Sequence, residues 1–187
     1  EFMEGFTDIG EIVLETNGTM NAMMFQLNYW SSSVITRPIT SGAWHHIAAV
    51  CDGEKQKIYL DGILEDNVSW ANAFTITTGI RLGKDYELNI QYLNGSIDEV
   101  RVWNIARSES DIKKFMNQQL IGTEPGLVGY WRFDEGKDTI AFDKTSNGNH
   151  GLLIGGVEWV ESTVPMSTPW LSVIPTSSTV SPGSTQD

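Results

Sequence analysis

At 187 residues the chain has room for one domain plus a tail, or for two small domains. Asp and Glu number 24 against 12 Lys and Arg, a net charge of −12. Affinity for phosphate backbones and anionic lipid heads rests on clustered Lys and Arg, so nucleic acid and membrane surfaces are disfavoured as partners. The single cysteine, Cys51, excludes an internal disulfide and a cysteine-based zinc cluster. No apolar run approaches the ~18 residues of a membrane span, and no signal peptide is visible. Glu1-Phe2 ahead of Met3 reads as a cloning scar, and the chain as a fragment of something longer.

Short blocks of alternating apolar residues predict strands over 11–15, 22–30, 44–52, 56–60, 74–77, 80–83, 97–103, 127–133, 152–154 and 157–160. Asn17-Gly18, Asp52-Gly53, Asp61-Gly62, Asn94-Gly95 and Asn147-Gly148 separate them, and these residues accept positive φ cheaply. The clearest hairpin turns at Asp61-Gly62. Only one stretch reads as helix. Ser108 is its N-cap, with Asp111 three residues on, and Ile112, Phe115, Met116 and Leu120 form an apolar stripe that ends near Gly122. Many short strands joined by short turns predict an all-β, antiparallel two-sheet jelly-roll sandwich, with the helix on its rim. After Glu161 the composition turns to Ser, Thr and Pro, which predicts a linker. The expected division is therefore one domain over 1–162, followed over 163–187 by a linker and the first strand of an immunoglobulin-like module at Trp170–Ile174.

Several motifs in order resemble the laminin-G-like, concanavalin A-like jelly rolls. They are WHHIAAVCDG at 44–53, IYLDG at 58–62, RLG at 81–83 and LNGSIDEVRVW at 93–103, followed by NIARSE at 104–109, GLVGYWRFDEG at 126–136 and DKTSNGNHG at 143–151. The resemblance covers about residues 20–160 and implies the concanavalin A-like fold. The family holds lectins, carbohydrate-binding modules, adhesion modules, spacers and glucanases. Its usual opening strands, one resembling Phe-Asp-Gly and one rich in aromatics, have no counterpart before Gly18. Either 11–14 stands in for one of them or a sheet edge is open, and an open edge invites pairing with a second copy as a homodimer.

Retaining glucanases need two carboxylates ~5–5.5 Å apart. On a strand this means same-face spacing, as in Glu-x-Asp-x-Glu, and no such triplet occurs. Asp98 and Glu99 are neighbours and face opposite ways. Period-two extrapolation along 97–103 puts Asp98 on one face with Val100 and Val102, and Glu99, Arg101 and Trp103 on the other. An inward Asp98 needs a cation or a set of backbone donors. The oxygen-rich loop 143–149 has the character of a calcium loop, and in resembling domains a structural calcium lies beside these two segments. Asp98, Asp143, Asn147 and Asn149 are thus candidate calcium ligands. In the alternative, Asp98 accepts backbone N–H bonds and the loop is an Asx-turn without metal. His45 and His46, adjacent on a strand, cannot chelate one metal from it. No Ser–His–Asp or Cys–His arrangement and no phosphate loop is present.

Sugar binding uses aromatic rings as stacking platforms beside amides and carboxylates. Trp30, Trp70, Tyr86 and Tyr92, near strand ends or in loops, are the candidate carbohydrate-binding residues, whereas Trp44, Trp103 and Trp131 are expected in the core. The resulting expectation is a non-catalytic carbohydrate-binding module of a secreted or cell-surface multidomain protein, with a polysaccharide or glycan as partner. A structural or adhesive spacer that contacts protein is the alternative, and a glucanase is disfavoured.

Overall fold

The computed structural model describes residues 11–16, 21–28, 31–35, 37–69, 80–83 and 93–166. Within them lie the strands β1 (Glu11–Thr16), β2 (Asn21–Asn28), β3 (Ser31–Ile35), β4 (Ile47–Cys51), β5 (Lys55–Leu60), β6 (Ile63–Ser69), β7 (Val100–Trp103), β8 (Leu127–Trp131), β9 (Ile140–Ala141) and β10 (Gly151–Leu152). A single helix, α1 (Glu109–Phe115), separates β7 from β8. All pairings are antiparallel: β1-β2-β3, β4-β5-β6, β7-β8 and β9-β10. β3 lies beside β5 and β6, and β2 beside β5. The protein is all-β, with one short helix among the described residues. Glu11–Thr16 forms a strand that is paired with β2 over its whole length. The expected strand at 74–77 and the tail from 167 onward lie outside the described residues.

Asp61 (φ 52°) and Gly62 (φ 76°) both take the left-handed conformation that a two-residue hairpin turn requires between β5 and β6. The Asp61 carboxylate also ties this turn to the entry of β4, accepting the His46 N–H at 2.9 Å and meeting His45 Nδ1 at 2.9 Å. At the preceding turn Asp52 Oδ1 accepts the N–H groups of Glu54 and Lys55 at 3.0 and 2.7 Å, a local bond that fixes the β4–β5 hairpin.

β5 is the central strand and is buried on both faces. Ile58 and Leu60 pack with Ile39, Ile47, Ala49 and Cys51 on one side. Tyr59 packs with Val50 and Ala48 on the other, where Ile112 of α1 covers them. The helix thus lies on a sheet face, pressed close to the hairpin. A Cβ at Gly62 would come within 2.8 Å of Lys113 Cγ, so the turn needs glycine for space as well as for φ. A third cluster joins Leu120, Leu127 and Tyr130 to Trp103 and Phe115.

Ser108 caps α1 by accepting the Asp111 N–H at 3.1 Å, and acids in the first turn and lysines in the last suit the helix dipole. The helix closes at Phe115, well before Gly122. The Gln118 N–H reaches back to the Phe115 carbonyl in a tighter turn, so Leu120 enters the core from a loop rather than from the helical stripe. The segments 80–83 and 157–160 form no strand, although Leu93 N–H bonds the Gly83 carbonyl at 2.9 Å.

Candidate functional site

The four candidate sugar-stacking residues Trp30, Trp70, Tyr86 and Tyr92 lie outside the described residues. The candidate cation ligands can be followed. Asp143, 6% exposed, is the centre of a knot between β8 and the 143–149 loop. Its Oδ1 accepts the N–H groups of Tyr130 (3.0 Å) and Thr145 (2.9 Å), and its Oδ2 accepts the Thr145 hydroxyl (2.8 Å) and the Asn149 N–H (2.9 Å). Burial pushes this carboxyl up, but the N–H donors of Thr145, Tyr130 and Asn149 and the Thr145 hydroxyl outweigh it and hold the group below the ordinary carboxylate range. The amide nitrogens of Asn147 and Asn149 both donate to the Val128 carbonyl, at 3.0 and 2.9 Å, which folds the loop over β8.

With both carboxylate oxygens already accepting two donors, Asp143 does not fit a cation ligand; a cation there would displace the bonds that shape the loop. Asp98 has a different set of partners, the Ser162 hydroxyl and the Glu99 N–H. Among the described residues no three His, Cys, Asp or Glu side chains are gathered as metal ligands would be. Chelation is expected to leave the melting temperature unchanged, because bonds within the chain already shape the loop. A fall that added calcium reverses would reinstate the cation.

Asp98 also departs from the inward strand position. Glu99 has φ 53° and β7 begins only at Val100, so the period-two extrapolation breaks one residue before the strand. The acid that turns inward is Glu99. Its Oε2 accepts Arg101 Nη2 at 2.9 Å and the Tyr130 hydroxyl at 2.7 Å, and its Oε1 lies 3.9 Å from Arg132 Nε. The side chains of Glu99 and Arg101 are 11% and 9% exposed. Arg101 Nη1 and Nη2 donate to the carbonyls of Phe115 and Gln118 at 2.7 and 2.5 Å, which binds the end of α1 to β7. Burial, and then the bond to Glu99, push the Tyr130 hydroxyl far above its usual range, so it stays a donor at any physiological pH. The sequence signal was the same-face spacing of Glu99 and Arg101. The Glu99 carboxylate, the Tyr130 hydroxyl and both Nη groups of Arg101 bond other parts of the fold, while Arg101 Nε and Arg132 Nε are buried without a hydrogen bond among the described residues.

Of the tryptophans expected in the core, Trp131 is buried and donates Nε1 to the Asn149 carbonyl at 2.8 Å. Its ring lies so close over Gly129 that a Cβ there would come within 2.5 Å of Cη2. Trp103 is half-buried, with Arg107 stacked 4.2 Å from its ring centre. Trp44 is half-buried and donates Nε1 to the Thr163 hydroxyl at 2.9 Å.

The feature that sequence reasoning missed is a cleft of about 390 Å³ lined by Phe133, Asp134, Trp159, Val160, Glu161 and Ser162. β8 ends at Trp131, and Phe133 (φ 55°) takes a left-handed turn that is unusual for a bulky residue. That turn sets its half-buried ring 6.4 Å from the Trp159 ring, tilted at 46°. Trp159 is held from behind, its Nε1 donating to the Asp138 carbonyl at 2.8 Å. Asp134 is paired with Arg132. Residues 159–162 form one wall, and the segment is tied down by Ser162 to Asp98 and by Thr163 to Trp44. Chemically the cleft offers two angled apolar ring faces beside carboxylate and hydroxyl oxygens.

The chain belongs to the Concanavalin A-like lectin/glucanases superfamily, whose family model matches residues 5–113. No curated protein matches it. Among solved structures it is similar to a "putative carbohydrate binding protein" from Bacteroides ovatus ATCC 8483. The TM-score is 0.53 and the identity 21%, over 79% of this chain and 47% of that one. The chain thus spans about half the length of that protein, and the likeness is one of fold. An S-layer domain-containing protein (residues 221–444) from Clostridium thermocellum ATCC 27405 aligns with a TM-score of 0.39 and 19% identity, over 62% of this chain and 69% of that one.

Proposed function

We propose that the chain is a non-catalytic carbohydrate-binding module of a secreted or cell-surface multidomain protein. The observation that carries this reading is membership of a superfamily of lectins and glucanases without the same-face carboxylate triplet of the glucanases. Two of the buried acids also have other work: Asp143 holds a loop, and Glu99 neutralises Arg101. The likeness to a Bacteroides ovatus protein named for carbohydrate binding supports the same class. The acidic charge of −12 argues against nucleic acid, and no helix among the described residues is long and apolar enough to cross a membrane.

One observation favours the second reading, an adhesive or spacer module that contacts protein. Leu152, Ile154, Val157 and Val160 are each more than half exposed on one short stretch. A glycan array together with a reducing-sugar assay separates the readings. The carbohydrate module is expected to be retained on at least one glycan and to release no reducing ends over hours. Retention on none would favour the spacer. Hydrolysis that vanishes with a single carboxylate substitution would reveal an enzyme.

A further inference from the structure

We infer that the Phe133–Trp159 cleft is the sugar-binding site and that it takes neutral pyranosides rather than acidic ones. The inference rests on the carbohydrate reading and gives it a place. A pyranose has a C–H face and a polar rim. The cleft matches that division, with two half-buried rings at 46° on one side and the oxygens of Glu161, Ser162 and Asp134 on the other. Its volume of about 390 Å³ suits a short saccharide segment, at the small end of the ~300–1,000 Å³ typical of ligand pockets. Phe133 holds a strained left-handed conformation at this very point, and such strain in folded proteins gathers at ligand sites.

The sign of the charge selects the ligand. The Asp134 carboxylate is neutralised by Arg132, whereas Glu161 is exposed. An uronate or sulfated sugar would meet Glu161 within an acidic molecule, while neutral hydroxyls would find acceptors.

Asp98 enters as a positioning residue. It touches no ligand, but its carboxylate anchors Ser162 and so sets the wall that carries Trp159 and Glu161.

The test is affinity electrophoresis of the full chain in gels containing galactomannan, laminarin or polygalacturonate, with melting temperatures measured alongside. The wild type is expected to be retarded by a neutral polysaccharide and not by polygalacturonate. Trp159→Ala should weaken that binding roughly tenfold or more, as truncation of a buried aromatic anchor does. Glu161→Ala and Asp98→Ala should weaken it several-fold, with melting temperatures unchanged. Should Trp159→Ala fail to fold, Glu161→Ala at the exposed rim decides. Wild-type binding that neither Glu161→Ala nor Trp159→Ala alters would overturn the cleft while leaving the carbohydrate reading intact. Retardation by polygalacturonate as strong as by the neutral gels would overturn the choice of ligand. No retardation in any gel would remove both.

Discussion

Replacing Glu99 by alanine is expected to cost about 3–5 kcal/mol of folding stability, the range found when one partner of a buried ion pair is removed. Glu99 and Arg101 are 11% and 9% exposed, so solvent does little to screen either charge. The substitution leaves Arg101 without its carboxylate partner, although Arg132 keeps Asp134, and it leaves the Tyr130 hydroxyl, in a fully buried residue, without its acceptor. It also loosens α1, because Arg101 is the group that holds the Phe115 and Gln118 carbonyls. Glu99→Gln keeps an acceptor for Tyr130 and should cost clearly less than Glu99→Ala. Urea unfolding of the three proteins at pH 7 checks this. Equal midpoints for wild type and Glu99→Ala would mean that the cluster is solvated and contributes little.

Stability should fall by about 3 kcal/mol as pH drops from about 6.5 to about 4, through His46. Burial first, and then the neighbouring Arg101, lower its pKa from 6.5 to about 4, against an opposing pull from Asp61. Its Nδ1 is buried without a hydrogen bond among the described residues, so the fold accepts only the neutral ring. Between these pH values the unfolded chain binds a proton that the folded chain refuses, so unfolding gains on acidification and the loss levels off below about 4. At roughly 1.4 kcal/mol per unit, the shift gives that size. Asp143 and Asp61, both held below 3.8, act lower on the scale: their contribution is present above that value and disappears as they take up protons beneath it. The two losses run into each other, the upper step from His46 and the lower one from the carboxylates. His46→Leu should flatten the upper step and leave the lower one, and a wild type equally stable at pH 7 and pH 4.5 would contradict the assignment.

What was legible in the sequence was local chemistry whose outcome depends on nearby residues. Asp61-Gly62 makes its hairpin because two adjacent residues tolerate positive φ, and Ser108 caps α1 through a bond three residues away. The strands β4, β5 and β8 follow their apolar patterns. β3 escaped because Ser31-Ser32-Ser33 carries no apolar alternation and is paired through its backbone to β2. Glu99 escaped because strand alternation was extended one residue too far, across a positive φ that nothing local demands. Leu120 kept its place in the core although the helix stopped at Phe115, since the Tyr130 hydroxyl, rather than a helical carbonyl, receives its N–H at 3.2 Å. The cleft escaped for a different reason. Phe133 and Trp159 are far apart in sequence and meet only because the strap 159–166 is tied to Asp98, Trp44 and Asp138.

The most direct test of carbohydrate binding at that cleft is a ¹⁵N-edited NMR titration of the chain with a soluble neutral oligosaccharide. The Trp159 indole N–H is assigned as the resonance absent from Trp159→Phe. The account predicts that this resonance and the amides of Phe133 and Glu161 shift together and saturate at one dissociation constant, while the indole of the buried Trp131 stays in place. Saturable binding that leaves Trp159, Phe133 and Glu161 unmoved would contradict it.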